Sequence, residues 1–473
     1  MLKILSSDAT IPYGPTPYTL VTYTGPVGTP KYREASVEIG KWERELGFST
    51  RIFHPLVDVD YRFDAKGMVV PPESEAETFG RVRSTPVDPN NALEILDEAE
   101  EAGGLDVIGI YGVQFFEDRR IIDVIDRLVR TGSYVITVFP NLDTQGDSIY
   151  PEILCRSDRI IKNPRPCYVC GRPALNLQRL IEGVAADFSV DPFEIVTGSE
   201  FHPVCDVHVE RPGAPWEEFL RPIRQRAIKE KIRPGKLIAH SGTMRTGKTR
   251  RTIRDTERRA PPERVLYFKP TGDTRDEGNF DSRTISDRAM EKFLWIKRKA
   301  SYFNNADPWK FYEREDVMNS RAFMVDECQI LSMDFPVMFT ALRMGGSNGI
   351  PKDIVCAGIP LSYRGEVVVI PPNHPGEVPK GSMPFLLSDA TRVDVGSIKC
   401  QMDNDRCRNR GNRQLLIHGG DIVTDFTKRF NADDLVGDDK YRISCMAHYP
   451  EFSGKPEFLD RPVLKRFYTA KSE

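Results

Sequence analysis

The stretch that most limits what this chain can become is Gly242-Thr243-Met244-Arg245-Thr246-Gly247-Lys248-Thr249. It fits G-x-x-x-x-G-K-[ST], in which glycines let backbone N–H groups crowd around phosphate oxygens. Lys236-Leu237-Ile238-Ala239 before it predicts a short buried strand, and Thr249 to Arg259, free of Gly and Pro, predicts a helix. A loop between a strand and a helix N-terminus aims N–H groups and partial positive charge at an anion. All eight positions are therefore candidate ligands of a nucleoside triphosphate and Mg2+. Lys248 would reach the terminal phosphates, and the Thr249 hydroxyl would hold the metal.

A second stretch answers the first. Ala322-Phe323-Met324-Val325 is an apolar run that ends in Asp326-Glu327-Cys328-Gln329. In a parallel sheet, reacting groups collect at the carboxyl ends of strands. Asp326 stands where a magnesium-binding carboxylate belongs, and Glu327 beside it is left to act as a base. The apolar run before them argues against a pair of solvated surface acids. Together the two stretches point to phosphoryl transfer or nucleotide hydrolysis.

The same order of features occurs earlier in the chain without its chemistry. Tyr18 to Tyr23 alternates as a strand does, and Gly25-Pro26-Val27-Gly28-Thr29-Pro30-Lys31-Tyr32 follows. Gly25 and Lys31 keep register with Gly242 and Lys248, but Pro30 replaces the second glycine and Tyr32 the metal-binding hydroxyl. Proline removes a donor and fixes φ, so the loop has lost its function. A helix over Lys31 to Gly47 and a strand over Ser49 to Phe53 lead to Asp60-Tyr61-Arg62, as Arg264 to Phe268 leads to Asp273-Thr274-Arg275. Leu105 to Ile110 then mirrors Ala322 to Val325 but ends in Tyr111-Gly112-Val113-Gln114, with both acids missing. A helix over Arg119 to Arg130 and a strand over Tyr134 to Phe139 complete a first sheet. The chain reads as an internal duplication with one half disarmed.

Each half closes on cysteines and a histidine. Cys167-x-x-Cys170 is followed by Cys205-x-x-His208, and the wider pair Cys400 and Cys407 by Cys445-x-x-His448. Two such pairs supply the four ligands of a tetrahedral Zn2+ site. The bland alternative, buried free thiols, is common for single cysteines.

The 473 residues allow two or three domains. We divide them into a lead-in (1–17), a first domain (18–209), a linker (210–235), a second domain (236–450) and a tail (451–473). The linker carries a basic helix with Arg221, Arg224, Arg226, Lys229 and Lys231, expected to be a solvated face. Val367 to Ser382, rich in Pro and Gly, reads as an inserted surface loop. A net charge of −3 gives no overall attraction to nucleic acid or an anionic membrane, and no run approaches transmembrane length. The first residues lack the pattern of a secretory signal or transit peptide. Nine cysteines, an odd number, favour reduced thiols or metal ligands. The expectation is a cytoplasmic α/β protein of two parallel-sheet, P-loop domains in tandem, each followed by a small zinc-binding subdomain.

In their order, these motifs resemble the thymidine kinases of the zinc-containing, P-loop type. The first half keeps Gly25-Pro26, Gln114-Phe115-Phe116 and Asn141-Leu142-Asp143; the second keeps Met244, Asp273, Arg275, Asp326, Glu327, Gln329 and Cys445. Val436-Gly437-Asp438-Asp439-Lys440-Tyr441 looks like the family's lasso, which folds over the base. The resemblance implies ATP and thymidine as substrates, with Mg2+ and Zn2+ as cofactors. It makes Glu327 the base for the 5′-hydroxyl, places Asp273 and Arg275 near the phosphates, and puts Met244, Gln329, Tyr363, Val436, Gly437 and Tyr441 around the nucleoside. It further implies oligomers, with the two halves here packing as pseudo-subunits and the first a non-catalytic scaffold.

Departures from the family pattern fall near the base. Ile330 stands where the family has Phe, Gly358-Ile359-Pro360 replaces its Gly-Leu-Asp turn, and the family's downstream Arg has no single match among Arg408, Arg410 and Arg413. Two rival readings therefore stand beside the first: a kinase of another nucleoside, and a non-catalytic assembly protein that reuses the fold.

Overall fold

The computed structural model describes residues 16–56, 82–192, 197–270, 301–304, 306–369, 381–402, 407, 409–428, 440–461 and 464, and the backbone alone at 62–63, 69–70, 279–281 and 297–299. Six parallel strands form the first sheet: β1 (Thr19–Thr24), β2 (Thr50–Pro55), β3 (Ser84–Val87), β4 (Val107–Tyr111), β5 (Tyr134–Phe139) and β6 (Arg159–Lys162), in the order β3-β2-β4-β5-β1-β6. Six more form the second: β7 (Leu237–Gly242), β8 (Val265–Pro270), β9 (Ser301–Phe303), β10 (Ala322–Val325), β11 (Asp353–Gly358) and β12 (Arg392–Gly396), in the order β9-β8-β10-β11-β7-β12. The two orders are the same. The fold is α/β, with two parallel-sheet domains in tandem.

The central strands read as unbroken apolar runs because helices cover both faces. Every residue of β5, β7 and β10 is buried. The covering helices include α1 (Lys31–Leu46), α2 (Ile121–Arg130), α3 (Pro151–Arg156), α4 (Glu217–Lys229), α5 (Lys248–Glu257), α6 (Phe335–Arg343) and α7 (Met383–Asp389). In α1 the spacing of Ala35, Ile39 and Trp42 sets an inward stripe. Gly47, in the left-handed region at φ 69°, ends that helix.

Each sheet is followed by the same small subdomain: a two-stranded ribbon (Arg165–Pro166 with Pro173–Ala174; Ile398–Lys399 with Arg410–Gly411) and a three-stranded antiparallel sheet (Asn176–Ile181, Val184–Ala185 and Ser199–Val204; Arg413–His418, Asp421–Ile422 and Tyr441–Ser444).

The halves meet through equivalent elements. Edge strand β6 lies alongside β12, and α3 packs on α7, which holds the same place in the second half. Asn141 Nδ2 and Lys162 Nζ both donate to Ser388 O, at 3.2 and 2.8 Å. The segment after each cysteine-histidine set crosses to the other half. Arg226, in α4 after the first set, donates to Ser347 O at 2.5 Å, and Asp206 within that set pairs with Arg343 in α6 at 2.7 Å. Phe458 N donates to Asp123 Oδ2 in α2 at 3.0 Å. One apolar cluster consequently runs from Leu20 in the first half to Phe458 in the second.

The expected solvated basic face is present at Arg221, Lys229 and Lys231, which are exposed, and helix α4 departs from it at Arg224. Glu217, Leu220, Ile223, Arg224 and Ala227 are buried, and the Arg224 guanidinium meets both Glu217 oxygens at 2.8 and 2.7 Å. The charge run hides one arginine turned inward with its own counter-ion. Residues 370–380 of the expected Val367 to Ser382 loop lie outside the described residues.

Candidate active site and metal centres

The phosphate-loop sequence lies where β7 gives way to α5. At Gly242 φ is +139°, and a Cβ there would come within 2.5 Å of Gly396 O on β12. Only glycine fits that turn. Gly247, at φ 71°, turns the chain into α5. Thr246 Oγ1 and Lys248 Nζ both donate to Thr243 O, at 2.8 and 2.6 Å, which draws the loop around its own lysine. Met244 and Arg245 lie on its outer part, half-buried, with Arg245 at φ 60°.

Across the sheet, β10 delivers Asp326 to the foot of this loop. Thr249 Oγ1 donates to Asp326 Oδ2 at 2.9 Å. Asp326 is buried, and burial first, then the charge of Glu327, pushes its carboxyl up to about 6; the Thr249 bond and Lys248 act the other way. A carboxylate so placed gains by meeting a cation. The hydroxyl and carboxylate are hard oxygen donors of the kind Mg2+ takes from protein.

Glu327 occupies the left-handed region at φ 52°, an unusual place for a non-glycine residue and one often kept where a site requires it. Gln329 Nε2 donates to Glu327 Oε2, while Gln329 Oε1 accepts from Ile359 N at 3.0 Å. One buried amide thus ties the acid to the turn after β11. That turn closes with Ser362 N donating to Glu366 O at 2.8 Å and carries Tyr363. Arg364 Nε donates to Tyr363 Oη at 2.8 Å. Burial, and secondarily the Tyr363 phenol, push Tyr441 up to about 12, so the two tyrosines share one environment. Asp273, Arg275, Val436, Gly437 and the first-half Asp60 lie outside the described residues.

The first half repeats this geometry with other side chains. Lys31 Nζ donates to Pro26 O at 2.8 Å, as Lys248 does to Thr243 O. Lys31 is wholly buried, and burial, with Arg165 nearby, pushes its ammonium down to about 7. By strand register Tyr111 is the counterpart of Asp326, and Tyr32 that of Thr249. The two tyrosine rings meet edge to face at 5.6 Å. Gly112 keeps the left-handed turn of Glu327 at φ 63°, without the acid.

Cys167, Cys170, Cys205 and His208 converge, and so do Cys400, Cys407, Cys445 and His448. Cys170 and Cys205 sulfurs are 3.7 Å apart, and those of Cys407 and Cys445 3.8 Å. A Zn–S bond of about 2.3 Å implies a tetrahedral S···S edge of about 3.8 Å, so both sets fit Zn2+. Asn409 Nδ2 at 3.7 Å from Cys445 Sγ and the Cys445 N–H at 3.4 Å from Cys400 Sγ supply donors suited to thiolates. The wider spacing of Cys400 and Cys407 does not keep them from meeting.

Sequence reading missed a third cluster. His240 Nε2 lies 3.1 Å from Asp255 in α5, and His240 Nδ1 lies 3.6 Å from Asp394 on β12. Arg392 bridges both carboxylates, so a side chain already supplies the cation. His240 and Asp255 lie on consecutive elements, whereas Asp394 is distant in sequence and is placed opposite His240 by the register of β12 on β7.

Fold and site together define a phosphate-loop α/β protein with zinc-type cysteine-histidine sets. No protein-family model matches the chain. Over 186 residues it is 33% identical to a thymidine kinase of Thermococcus kodakarensis, covering 88% of that protein and 38% of this one. The chain belongs to the thymidine kinase family. Among the described residues, no helix is long and apolar enough to cross a membrane.

Proposed function

We propose that the second half transfers the γ-phosphoryl group of ATP to the 5′-hydroxyl of thymidine, and that the first half is a non-catalytic scaffold. The observation that carries this reading is the alignment of Thr249, Asp326, Glu327 and Gln329 behind a complete loop, against tyrosines at the matching first-half positions. The 5′-oxygen bonds to the γ-phosphorus, its proton passes to Glu327, and the bond to the leaving ADP breaks. Lys248 offsets charge on the phosphoryl oxygens, and Arg275 is assigned the same task by family resemblance. Thr249 and Asp326 would hold Mg2+ arriving with ATP, with Asp273 assigned nearby by resemblance, and the ion would supply neutralisation of phosphate charge. Gln329 fixes the Glu327 side chain and links it to the turn of Tyr363; Met244, Tyr441, Val436 and Gly437 are assigned to the nucleoside by family resemblance.

The pairing of β6 with β12 and of α3 with α7 supports reading the halves as pseudo-subunits. Zn2+ in the two cysteine-histidine sets would pin each small subdomain. A kinase of another nucleoside is the second reading, favoured by Ile330 and by Pro360 and Ser362, which by strand register take the places of Asn141 and Asp143 in the first half. Phosphorylation of a nucleoside panel with ATP separates the cases. Preference for thymidine supports the first reading, preference for another nucleoside the second, and no turnover leaves an assembly protein.

A further inference from the structure

Arg156 belongs to the half without phosphate chemistry, yet its side chain ends in the other half. It is 1% exposed. Its guanidinium makes three directed contacts: Nε with Asp126 Oδ2 at 3.1 Å, Nη1 with Glu152 O at 2.9 Å, and Nη2 with Gly365 O at 2.6 Å. The first two lie within the first half and fix the plane of the fork. The third crosses to the Ser362–Glu366 turn, two residues from Tyr363.

That turn is held from several sides at once. Gly365 has φ +73°, so its carbonyl direction depends on a backbone state that other residues adopt with strain. Tyr449 Oη donates to Tyr363 O at 2.7 Å, and the first-half Arg130 Nη1 donates to Tyr449 O at 2.5 Å. Arg413 Nη2 donates back to Arg156 O at 3.0 Å. The Phe458 ring covers the Arg156 guanidinium at 4.7 Å, away from water. In the first half the corresponding turn has Thr144 at the place of Tyr363. Its main chain is held by Arg211, whose Nε donates to Thr144 O at 3.1 Å. Each turn therefore has its own arginine, but only the one bearing tyrosine takes it from the opposite half.

Resting on the nucleoside kinase reading, we propose that Arg156 is a positioning residue for nucleoside recognition, supplied by the silent half to the Tyr363 turn of the working half. Its fork holds the Gly365 carbonyl and so sets where Tyr363 stands. It touches neither ATP nor the phosphate loop, so its effect falls on the nucleoside.

The test compares two double variants of the full-length chain that differ by one hydrogen-bond donor. Asp126→Asn is present in both, so that no buried carboxylate is left unpaired. Arg156→Gln keeps an amide donor for Gly365 O, and Arg156→Met removes it at similar size. KM for thymidine, KM for ATP and kcat are measured for each. The Met variant is expected to raise the thymidine KM about tenfold, with ATP KM within about twofold, and Gln to recover most of the difference. Equal thymidine KM values in the two variants, or a parallel rise in ATP KM, overturns the proposal. Should the Met variant not fold, Arg156→Lys in the native background replaces it, because lysine keeps the ion pair and loses the fork. An unchanged thymidine KM there also overturns it. Failure of the underlying reading looks different: the native chain then phosphorylates no thymidine, and both claims go. Native turnover with unaffected variants removes only the role of Arg156.

Discussion

The Thr249 hydroxyl donates to Asp326 at 2.9 Å, joining the end of the phosphate loop after β7 to the end of β10, across the intervening β11. The same two places in the first half hold Tyr32 and Tyr111, ring against ring at 5.6 Å. A polar pair able to share a cation has been replaced by an apolar contact that fills the space. The backbone around them is conserved in shape between the halves, down to the left-handed turn at Glu327 and Gly112.

Turnover should depend on one half. Lys248→Ala and Glu327→Gln are each expected to lower kcat at least ~100-fold, since each removes charge stabilisation or proton transfer. Lys31→Met should leave kcat within about threefold. Steady-state rates at saturating ATP and thymidine check this; comparable losses in all three variants would put chemistry in the first half.

Asp326 should govern the acid limb of activity. Its carboxyl sits at about 6 in the folded chain, and ionisation prepares it for a cation. The value of kcat/KM for MgATP is expected to fall about tenfold per pH unit below about 6 and to level above it. Folding responds in the opposite sense. Between about pH 4 and 6 the native chain binds this proton while the unfolded chain has released it, so stability falls as pH rises through that window. Asp326→Asn should therefore be more stable than the native chain at pH 7, by on the order of 2 kcal/mol, and gain nothing at pH 4. Denaturant titrations at the two pH values decide it.

Lys31 makes the reverse prediction. Its ammonium sits at about 7 inside the fold, below its ordinary value of 10.5, so above about 7 the unfolded chain binds more protons than the native one. Its contribution to stability rises with pH from about 7 to 10. Subtracting the profile of Lys31→Met from that of the native chain should isolate the rise; parallel profiles would mean that Lys31 is not buried as a free base.

Metal analysis of freshly purified protein should give about two zinc ions per chain, one for each four-ligand set. Cys167→Ser and Cys407→Ser should each lose about one zinc and lower the Tm, because metal binding is coupled to folding. Loss of both ions in either variant would show that the two sets do not act separately.

Removing residues 1–209 should leave a second half that self-associates and has lost most activity, because it strips β6 and α3 from β12 and α7. Light scattering together with the nucleoside assay tests this. A monomeric, fully active fragment would remove the scaffold role.

Much of this architecture was legible because it rests on local signals. The strand–loop–helix at Gly242 to Thr249, the apolar run before Asp326 and the cysteine spacings each announce themselves within a short window. Elements defined by distant partners did not. The strands Ser84–Val87 and Ser301–Phe303 are short, sit at sheet edges and lack an apolar run of their own. Asp394 joins His240 and Asp255 only through strand register, and Arg156 reads as an ordinary helix residue until Gly365 is placed beside it. Arg224 departs from the solvated face of its neighbours because composition gives charge but not the face on which it lies.

On the proposed reading, the tyrosine-filled first-half loop leaves this pair of folds with a single phosphate site in each chain. Sigmoidal saturation needs at least two sites whose occupancies inform one another. Within one chain that exchange has no second participant, so any sigmoidal response of the proposed kinase would have to arise between chains. A monomer of the proposed kind is expected to answer a rising supply of substrate in proportion from the lowest concentrations, without a threshold.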